Sequence, residues 1–213
     1  MTGLLIVYYS SYGHILKMAR TAANRVSQSE EYEVRLRKIP ELKQAKEAMS
    51  GQDAYIKAQK KQEDVPEVNH EDLLWADGIV WGIPTRFGNM PAQIKQFLDS
   101  AGGLWADGEL EGKAAGIMTS SNTNHGGQET TIISSLIPLL HLGMIFVGSP
   151  YGKNPELMSE EHIGGSPYGP STIAGSDGSR TPQEEELNMA VNLAKRVARV
   201  ADSIKDKVSQ DQI

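Results

Sequence analysis

Five short apolar runs, separated by stretches with a helical pattern, constrain the fold of this chain more than any other feature. Most of the runs are continuous rather than alternating, which is typical of parallel strands covered by helices on both faces. The runs span residues 4–9, 34–39, 78–83, 114–119 and 144–148, and the helical stretches cover residues 13–26, 91–100, 129–140 and 182–207. This alternation predicts an α/β fold with a five-stranded, mostly parallel sheet.

The length of the chain indicates one domain. At 213 residues, a single domain over residues 1–213 is more usual than two. Two segments do not fit a minimal five-strand domain. We interpret residues 41–71 as a solvated helix followed by a loop around Pro66, and residues 149–180 as a long loop rich in Gly, Pro and Ser. Loops of that length in compact domains are usually functional or mobile.

Charge and composition exclude several classes of function. The formal net charge of −6 disfavours non-specific binding to nucleic acid or anionic lipid. The chain has no cysteine, which rules out disulfides, thiolate nucleophiles and Cys-ligated metals; no His or carboxylate pair has metal-ligand spacing. The first apolar run lacks a basic leader and is too short to span a membrane. We therefore expect a cytoplasmic protein that needs a bound cofactor for any redox chemistry. We expect no metal site and no nucleic-acid or membrane partner.

A hydroxyl-rich turn joins the first apolar run to the first helix. Its residues are Ser10, Ser11, Tyr12, Gly13, His14 and Ile15. Free N–H groups and the positive dipole end at a helix N-terminus bind anions, and serine hydroxyls add donors. Because no Walker A loop or G-x-G-x-x-G motif is present, a single phosphomonoester fits better than a triphosphate or a dinucleotide. A Ser-capped helix without a ligand explains this stretch equally well.

Two further loops follow the third and fourth apolar runs. One contains Pro84, Thr85, Arg86 and Phe87; the other contains Ser121, Asn122, Thr123, Asn124, His125 and Gly126. In open α/β sheets, ligands bind at the carboxyl ends of the strands, so the three loops are expected to converge. Ordinary turns use the same residue types. Taken alone, His141 at a helix end favours a structural role, and Trp105 on a predicted loop favours a packing role.

Several motifs in matching order give the chain a resemblance to a known family. They lie at residues 8–14, 84–90, 102–105, 165–169 and 172–180. Together they resemble the WrbA family of flavodoxin-like NAD(P)H:quinone oxidoreductases, and the match spans nearly the whole chain.

The resemblance implies a flavodoxin-like three-layer sandwich that holds FMN without a covalent bond. Residues 10–15 would surround the phosphate, residues 85–87 would lie beside the isoalloxazine, and residues 121–126 would complete the pocket. The resemblance also places His141 at the flavin, Tyr12 at the nicotinamide nucleotide and Trp105 on the substrate side of a homotetramer. NADH or NADPH would supply hydride and a quinone would accept electrons; no side chain is assigned as a catalytic acid or base.

One loop departs from the family pattern. Relatives carry a Thr/Gly-rich loop, whereas Thr123 and His125 stand here at positions where glycine is usual. If the loop binds flavin through its backbone amides, both residues must adopt conformations that glycine reaches freely, with an effect on loop geometry or FMN affinity. Two other functions remain open at this point: a flavodoxin-type electron carrier, and an FMN-binding regulatory protein without quinone turnover.

Overall fold

A parallel sheet forms the centre of the molecule in a computed structural model that describes residues 1–208. Its strands are β1 (Thr2–Tyr8), β2 (Tyr32–Lys38), β3 (Gly78–Pro84), β4 (Ala114–Ser121), β5 (Ile145–Phe146) and β6 (Ser171–Ile173). The order is β2-β1-β3-β4-β5, with β6 also paired to β4. This is the flavodoxin-like doubly wound order, so the predicted fold class is confirmed. Residues 209–213 of the predicted domain lie outside the described residues.

The fifth position in the sheet is divided between two short strands. β5 pairs with the start of β4, at Ala114 and Ala115, whereas β6 pairs with its end, at residues 119–121. Because β3 occupies the other edge of β4, β5 and β6 lie along the same side. The predicted fifth strand over 144–148 is therefore too long. The predicted loop over 149–180 contains β6 and two 3-10 turns, at Tyr151–Lys153 and Pro155–Met158.

Helices cover both faces of the sheet. They are α1 (His14–Val26), α2 (Lys43–Met49), α3 (Asp53–Lys60), α4 (His70–Trp75), α5 (Ala92–Ser100), α6 (Gly102–Ala106), α7 (Gln128–His141) and α8 (Glu184–Val208). Successive side chains of a strand point to opposite faces. In β1, Leu4 and Ile6 accordingly pack with α1 and α8, and Leu5 and Val7 pack with α4, α5 and α7. The result is a three-layer sandwich around two apolar cores.

Two sequence interpretations need correction. Residues 41–71 contain two helices, α2 and α3, where one was expected; the expected loop around Pro66 is present and leads into the start of α4. α3 is not wholly solvated, because Tyr55 and Ala58 are buried. Trp105, predicted on a loop, lies in the short helix α6. None of the helices described for residues 1–208 combines the length and apolar character needed to cross a bilayer.

Candidate functional site

Loops at the carboxyl ends of β1, β3 and β4 enclose a cavity of about 340 Å³. This volume falls within the range of small-molecule pockets, roughly 300–1,000 Å³. The cavity lies where the strand order reverses between β1 and β3, the usual ligand position in such sheets. The predicted residues that line it are Ser10, Ser11, Tyr12, His14, Ile15, Pro84, Thr85, Arg86, Ser121 and Asn122. Residues from all three predicted loops therefore meet in one place.

The turn before α1 presents free hydrogen-bond donors. Gly13 takes a left-handed conformation with φ of 96°, which a residue with a side chain rarely adopts. Its N–H donates to Ser10 Oγ at 3.0 Å, so the hydroxyl hydrogen of Ser10 is available to a ligand oxygen. Within residues 1–208, the backbone N–H groups of Ser11, Tyr12, His14 and Ile15 find no acceptor. These donors form a cradle that suits a phosphate group.

Two glutamines of residues 41–71 hydrogen-bond to the backbone carbonyl oxygens of this turn. Gln62 Nε2 donates to Ser10 O at 3.0 Å, and Gln59 Nε2 contacts the carbonyl oxygens of Ser10 and Ser11 at 3.2 Å. Gln62 is only 2% exposed. These bonds engage the carbonyl oxygens of the turn and leave its N–H groups available. Sequence reasoning missed this support, because Gln59 lies in α3 whereas Gln62 lies in the turn that follows the helix.

A chain of hydrogen bonds links the turn to Arg86. Tyr9 OH donates to Glu41 Oε2 at 2.8 Å, Ser11 Oγ donates to Tyr9 OH at 3.1 Å, and Arg86 Nη2 donates to Ser11 Oγ at 2.9 Å. Burial raises the pKa of the Tyr9 phenol above its usual range, so it stays protonated. The hydroxyl of Ser11 is therefore already engaged, and this residue offers a ligand its backbone N–H.

Phe87 lies at the tip of a tight hairpin turn, outside the cavity. Arg86 and Asn89 exchange backbone hydrogen bonds of 2.8 and 3.1 Å. Phe87 and Gly88 between them have φ values of 54° and 77°, as in a type I′ turn. A left-handed Phe costs about 1–2 kcal/mol, and its ring is fully exposed. Strain of this kind concentrates at functional positions.

The third loop divides between two cavities. Ser121 and Asn122 line the first cavity, whereas Asn124 and His125 line a neighbouring one of about 470 Å³. Thr123 and Gly126 fold the loop: the N–H of Gly126 and the Oγ of Ser121 both donate to Thr123 O, at 3.1 and 2.6 Å.

Thr123 and His125 do not show the left-handed conformations that the departure from the family pattern predicts. Among the described non-glycine residues, only Phe87 has a positive φ. Thr123 and His125 therefore adopt backbone conformations that any residue can reach, and replacing glycine at these positions introduces no left-handed strain.

His141 and Trp105 lie away from the first cavity. His141 is the last residue of α7 and Trp105 lies in α6. Both line an apolar surface cavity of about 740 Å³, and Trp105 is 61% exposed. A single chain thus does not bring these two predicted residues together with the others.

A further loop that sequence reasoning did not place completes the first cavity. Ser120, at the end of β4, also lines the cavity, and the lining residues that were missed are Ala54, Ala174, Ser176, Asp177 and Gly178. β6 positions the last four at the carboxyl edge. His14 Nε2 lies 3.1 Å from Gly178 O. The N–H of Ser179 lowers the pKa of the Asp177 carboxyl below its usual range, which keeps Asp177 negative and disfavours an anion on that side.

A buried ion pair anchors this loop. Glu186, which is fully buried, accepts hydrogen bonds from Arg180 Nη2 at 2.9 Å and from Thr172 Oγ1 at 2.7 Å. Arg180 Nη1 also donates to Ile173 O at 2.6 Å, and its backbone N–H donates to Ala174 O at 2.9 Å. Helix α8 therefore fixes the position of residues 174–178.

We expect His14→Gln to reduce the loss of stability in acid. Burial lowers the pKa of His14 below its ordinary value of 6.5. As the pH falls through that value, the unfolded chain therefore binds more protons than the folded chain. The free energy of unfolding then falls as the pH falls. Urea unfolding between pH 8 and 5, at roughly half-unit steps across the titration range, measures this slope. His162→Gln, at an exposed position, serves as the control; equal slopes for both variants would contradict the assignment.

A protein-family model matches most of the chain. The model for NADPH-dependent FMN reductase covers residues 5–154. A protein from Geotalea uraniireducens named NAD(P)H dehydrogenase (quinone) is 47% identical over 198 residues, covering 93% of this chain and 97% of its own length. A protein of the same name from Methanosarcina acetivorans is 43% identical, covering 97% of this chain and all of its own length. These relatives match the chain from end to end rather than through a shared module.

Solved structures give the same architecture at lower sequence identity. A flavodoxin, WrbA-like protein from Agrobacterium tumefaciens superposes with a TM-score of 0.64 and 21% identity, covering 95% of this chain and 99% of that one. The flavoenzyme NAD(P)H:(acceptor) oxidoreductase FerB from Paracoccus denitrificans gives a TM-score of 0.53 at 15% identity, with coverage of 95% and 98%. At these identities, the likeness establishes the fold.

Proposed function

The chain belongs to the WrbA family of flavodoxin-like NAD(P)H:quinone oxidoreductases, within the wider NADPH-dependent FMN reductase family, and we propose that it uses FMN to reduce quinones with NADH or NADPH. One observation carries the proposal: unpartnered N–H groups and the Ser10 hydroxyl face a cavity at the strand reversal. This donor set fits the phosphate of a flavin mononucleotide.

We assign the three predicted loops to different parts of the cofactor. Residues 10–15 hold the phosphate, because that turn has the free donors. Residues 84–86, Ser121 and Asn122 contact the ring system, since they line the same cavity after the neighbouring strands β3 and β4. Phe87 and residues 123–126 remain proposed cofactor contacts by family resemblance alone. When bound, FMN supplies the chemistry of accepting a hydride and passing two electrons to a quinone.

The protein's own contribution is binding, orientation and charge. Arg86 is held at the cavity by Ser11, and its positive charge favours electron-rich ligands there. Thr85 Oγ1 accepts a hydrogen bond from the Gly88 N–H at 3.1 Å and is hydrogen-bonded to Thr131 Oγ1 at 2.7 Å, and these two contacts fix its position at the cavity. FMN would supply the hydride chemistry when bound, so no side chain is assigned as a catalytic acid or base.

A homotetramer is part of the proposal. Exposed apolar side chains extend over α7 and its surroundings: Phe87, Trp105, Ile133, Ile137 and Leu140. Such a surface on a folded chain favours contact with another subunit. We propose that His141 and Trp105 act in a site completed by a neighbouring subunit, which accounts for their distance from the cavity of their own chain.

The remaining assignments follow from the same features. We propose that the chain is one FMN-binding domain, acts in the cytoplasm, and has NAD(P)H and a quinone as its small-molecule partners. The formal charge of −6 supports an absence of nucleic-acid and membrane partners.

Steady-state kinetics test the proposed function. We expect turnover of NAD(P)H with benzoquinone to follow a ping-pong scheme, because hydride donor and quinone use the same face of one cofactor in succession. Double-reciprocal plots at several quinone concentrations should give parallel lines. Intersecting lines would indicate that both substrates bind at once, and absence of turnover would indicate an electron carrier or an FMN-binding regulatory protein.

We expect Trp105→Ala to raise the quinone KM and leave FMN binding nearly unchanged. The reason is that Trp105 lies outside the cradle yet has an exposed aromatic surface suited to a shared site. Dilution that dissociates the tetramer should lower quinone turnover in the same way. Sedimentation measured beside quinone assays over one dilution series checks both effects. Fully active monomers would contradict a shared site.

A further inference from the structure

A separate cavity of about 410 Å³ lies between α8 and residues 148–154. Its lining residues on α8 extend from Asn192 to Ile204, and none of the residues around it lines the cavity at the carboxyl edge. Asp202 accepts a hydrogen bond from Thr2, the first residue of β1. This half of α8 therefore runs toward the amino edge of the sheet, away from the proposed FMN site.

Three unbalanced positive charges line this cavity. Arg196 and Arg199 stand three residues apart on α8, and Lys153 lies on the facing loop. Within the part of the chain that the structure describes, none of them forms an ion pair. Arg199 reaches only the backbone oxygen of Lys195, at 3.4 Å. In a chain of net charge −6, clustered and unpaired cations in a concave site create a local field that attracts anions.

A buried hydroxyl in the same cavity also lacks a partner. Ser149 is 1% exposed and lines the cavity. Its Oγ makes no hydrogen bond within residues 1–208, although its N–H is bonded to Pro167 O at 2.8 Å. Unsatisfied buried polar atoms are rare in native proteins, and each calls for an explanation. Because this oxygen is closed to solvent in the free protein, a ligand oxygen bonds to it once the Ser149 side chain turns toward the cavity.

The cavity has a fixed frame and apolar walls. Asn192 Nδ2 on α8 donates to Lys153 O at 2.9 Å, which connects the loop to α8. Asn154 Nδ2 donates to Pro150 O at 2.9 Å within the loop. The apolar walls come from Pro150, Leu193, Val200 and Ile204. A ligand that fits therefore combines an anionic group with an apolar body.

We propose that this cavity is a second binding site, for a small ligand that carries a phosphate group on an apolar or aromatic body. Three cations and a free hydroxyl match the charge and the several acceptor oxygens of a phosphomonoester better than those of a monocarboxylate. Because this site shares no lining residue with the cavity at the strand reversal, the inference does not depend on the function proposed there.

Calorimetric titration with phenyl phosphate tests the site. The protein is first loaded with one FMN per chain, so that the cradle before α1 is filled, and ionic strength is held constant. We expect saturable binding, and Arg196→Gln should raise the Kd about tenfold or more through loss of a charge-assisted bond. Lys195→Gln is the matched control, because Lys195 is exposed on the same helix but outside the cavity; it should change the Kd by less than about twofold.

Ser149→Ala gives an independent signature. It should weaken phenyl phosphate binding while raising the unfolding temperature of the free protein, because it removes a buried hydroxyl without a partner. No saturable binding, equal affinity in Arg196→Gln and the unchanged protein, or equal affinity for phenyl phosphate and sulfate would overturn the proposal. Binding to phosphatidylserine vesicles without binding to phenyl phosphate would also overturn it, in favour of a lipid surface.

Discussion

Arg180→Met is expected to lower the free energy of unfolding by about 3–5 kcal/mol, because it leaves a buried carboxylate without its cation. Glu186 is 0% exposed, and both guanidinium nitrogens of Arg180 bond to it, at 2.9 and 3.1 Å. The Gly164 N–H and Thr172 Oγ1 also donate to this carboxylate, but neither supplies a positive charge. Urea unfolding at neutral pH measures the loss.

A double-mutant cycle separates the buried charge from the lost packing. Glu186→Gln removes the negative charge and keeps a side chain of similar size, so the double variant with Arg180→Met should be more stable than Arg180→Met alone. Strictly additive effects, or a loss below about 1 kcal/mol for Arg180→Met, would contradict the role of the ion pair. Because the Arg180 side chain also holds the carbonyl oxygen of Ile173, FMN binding should weaken in the single variant as well.

FMN is expected to bind about 10²–10⁴-fold more tightly than riboflavin, which lacks the phosphate. The turn before α1 offers several free N–H groups and the Ser10 hydroxyl. Two charge-assisted hydrogen bonds, at about 1.5–3 kcal/mol each, account for a difference of this size. Fluorescence titration of the protein freed of flavin, with each ligand in turn, measures both affinities. Equal affinities would remove the argument for a phosphate site.

Ser10→Ala should weaken FMN by about 1–3 kcal/mol. Ser10 Oγ accepts from the Gly13 N–H and so directs its own hydrogen outward; the variant loses a donor and frees that N–H from its present partner. Riboflavin serves as the internal control, because its affinity does not depend on this donor. A parallel loss for riboflavin would mean that the variant has disturbed the whole cavity.

The sequence is informative where local pattern and tertiary environment agree. β1, β3 and β4 are buried throughout, and each is visible as a continuous apolar run. Because parallel strands share a carboxyl edge, the loops that follow these runs are expected to lie together at that edge. Ser10 and Arg86 are identified as cavity residues in this way.

The sequence is uninformative where a contact depends on distant packing. β6 has three residues and no apolar run, and it becomes a strand only because the end of β4 has a free edge. The cavity residues around Asp177 depend on that strand, so local pattern does not reveal them. A hydrogen bond to Ser10 holds the polar residue Gln62 in a buried position. The composition of residues 41–71 predicts a solvated segment and therefore does not anticipate this burial.

An anaerobic absorbance titration tests the proposed function most directly. Purified protein is saturated with FMN, freed of excess cofactor, and titrated first with NADH or NADPH and then with benzoquinone. We predict one FMN per chain, bleaching of its visible absorption by at least one nicotinamide nucleotide, and recovery of that absorption with one quinone per FMN. Protein that retains no FMN, or whose bound FMN is neither reduced by a nicotinamide nucleotide nor reoxidised by the quinone, would contradict the proposed function.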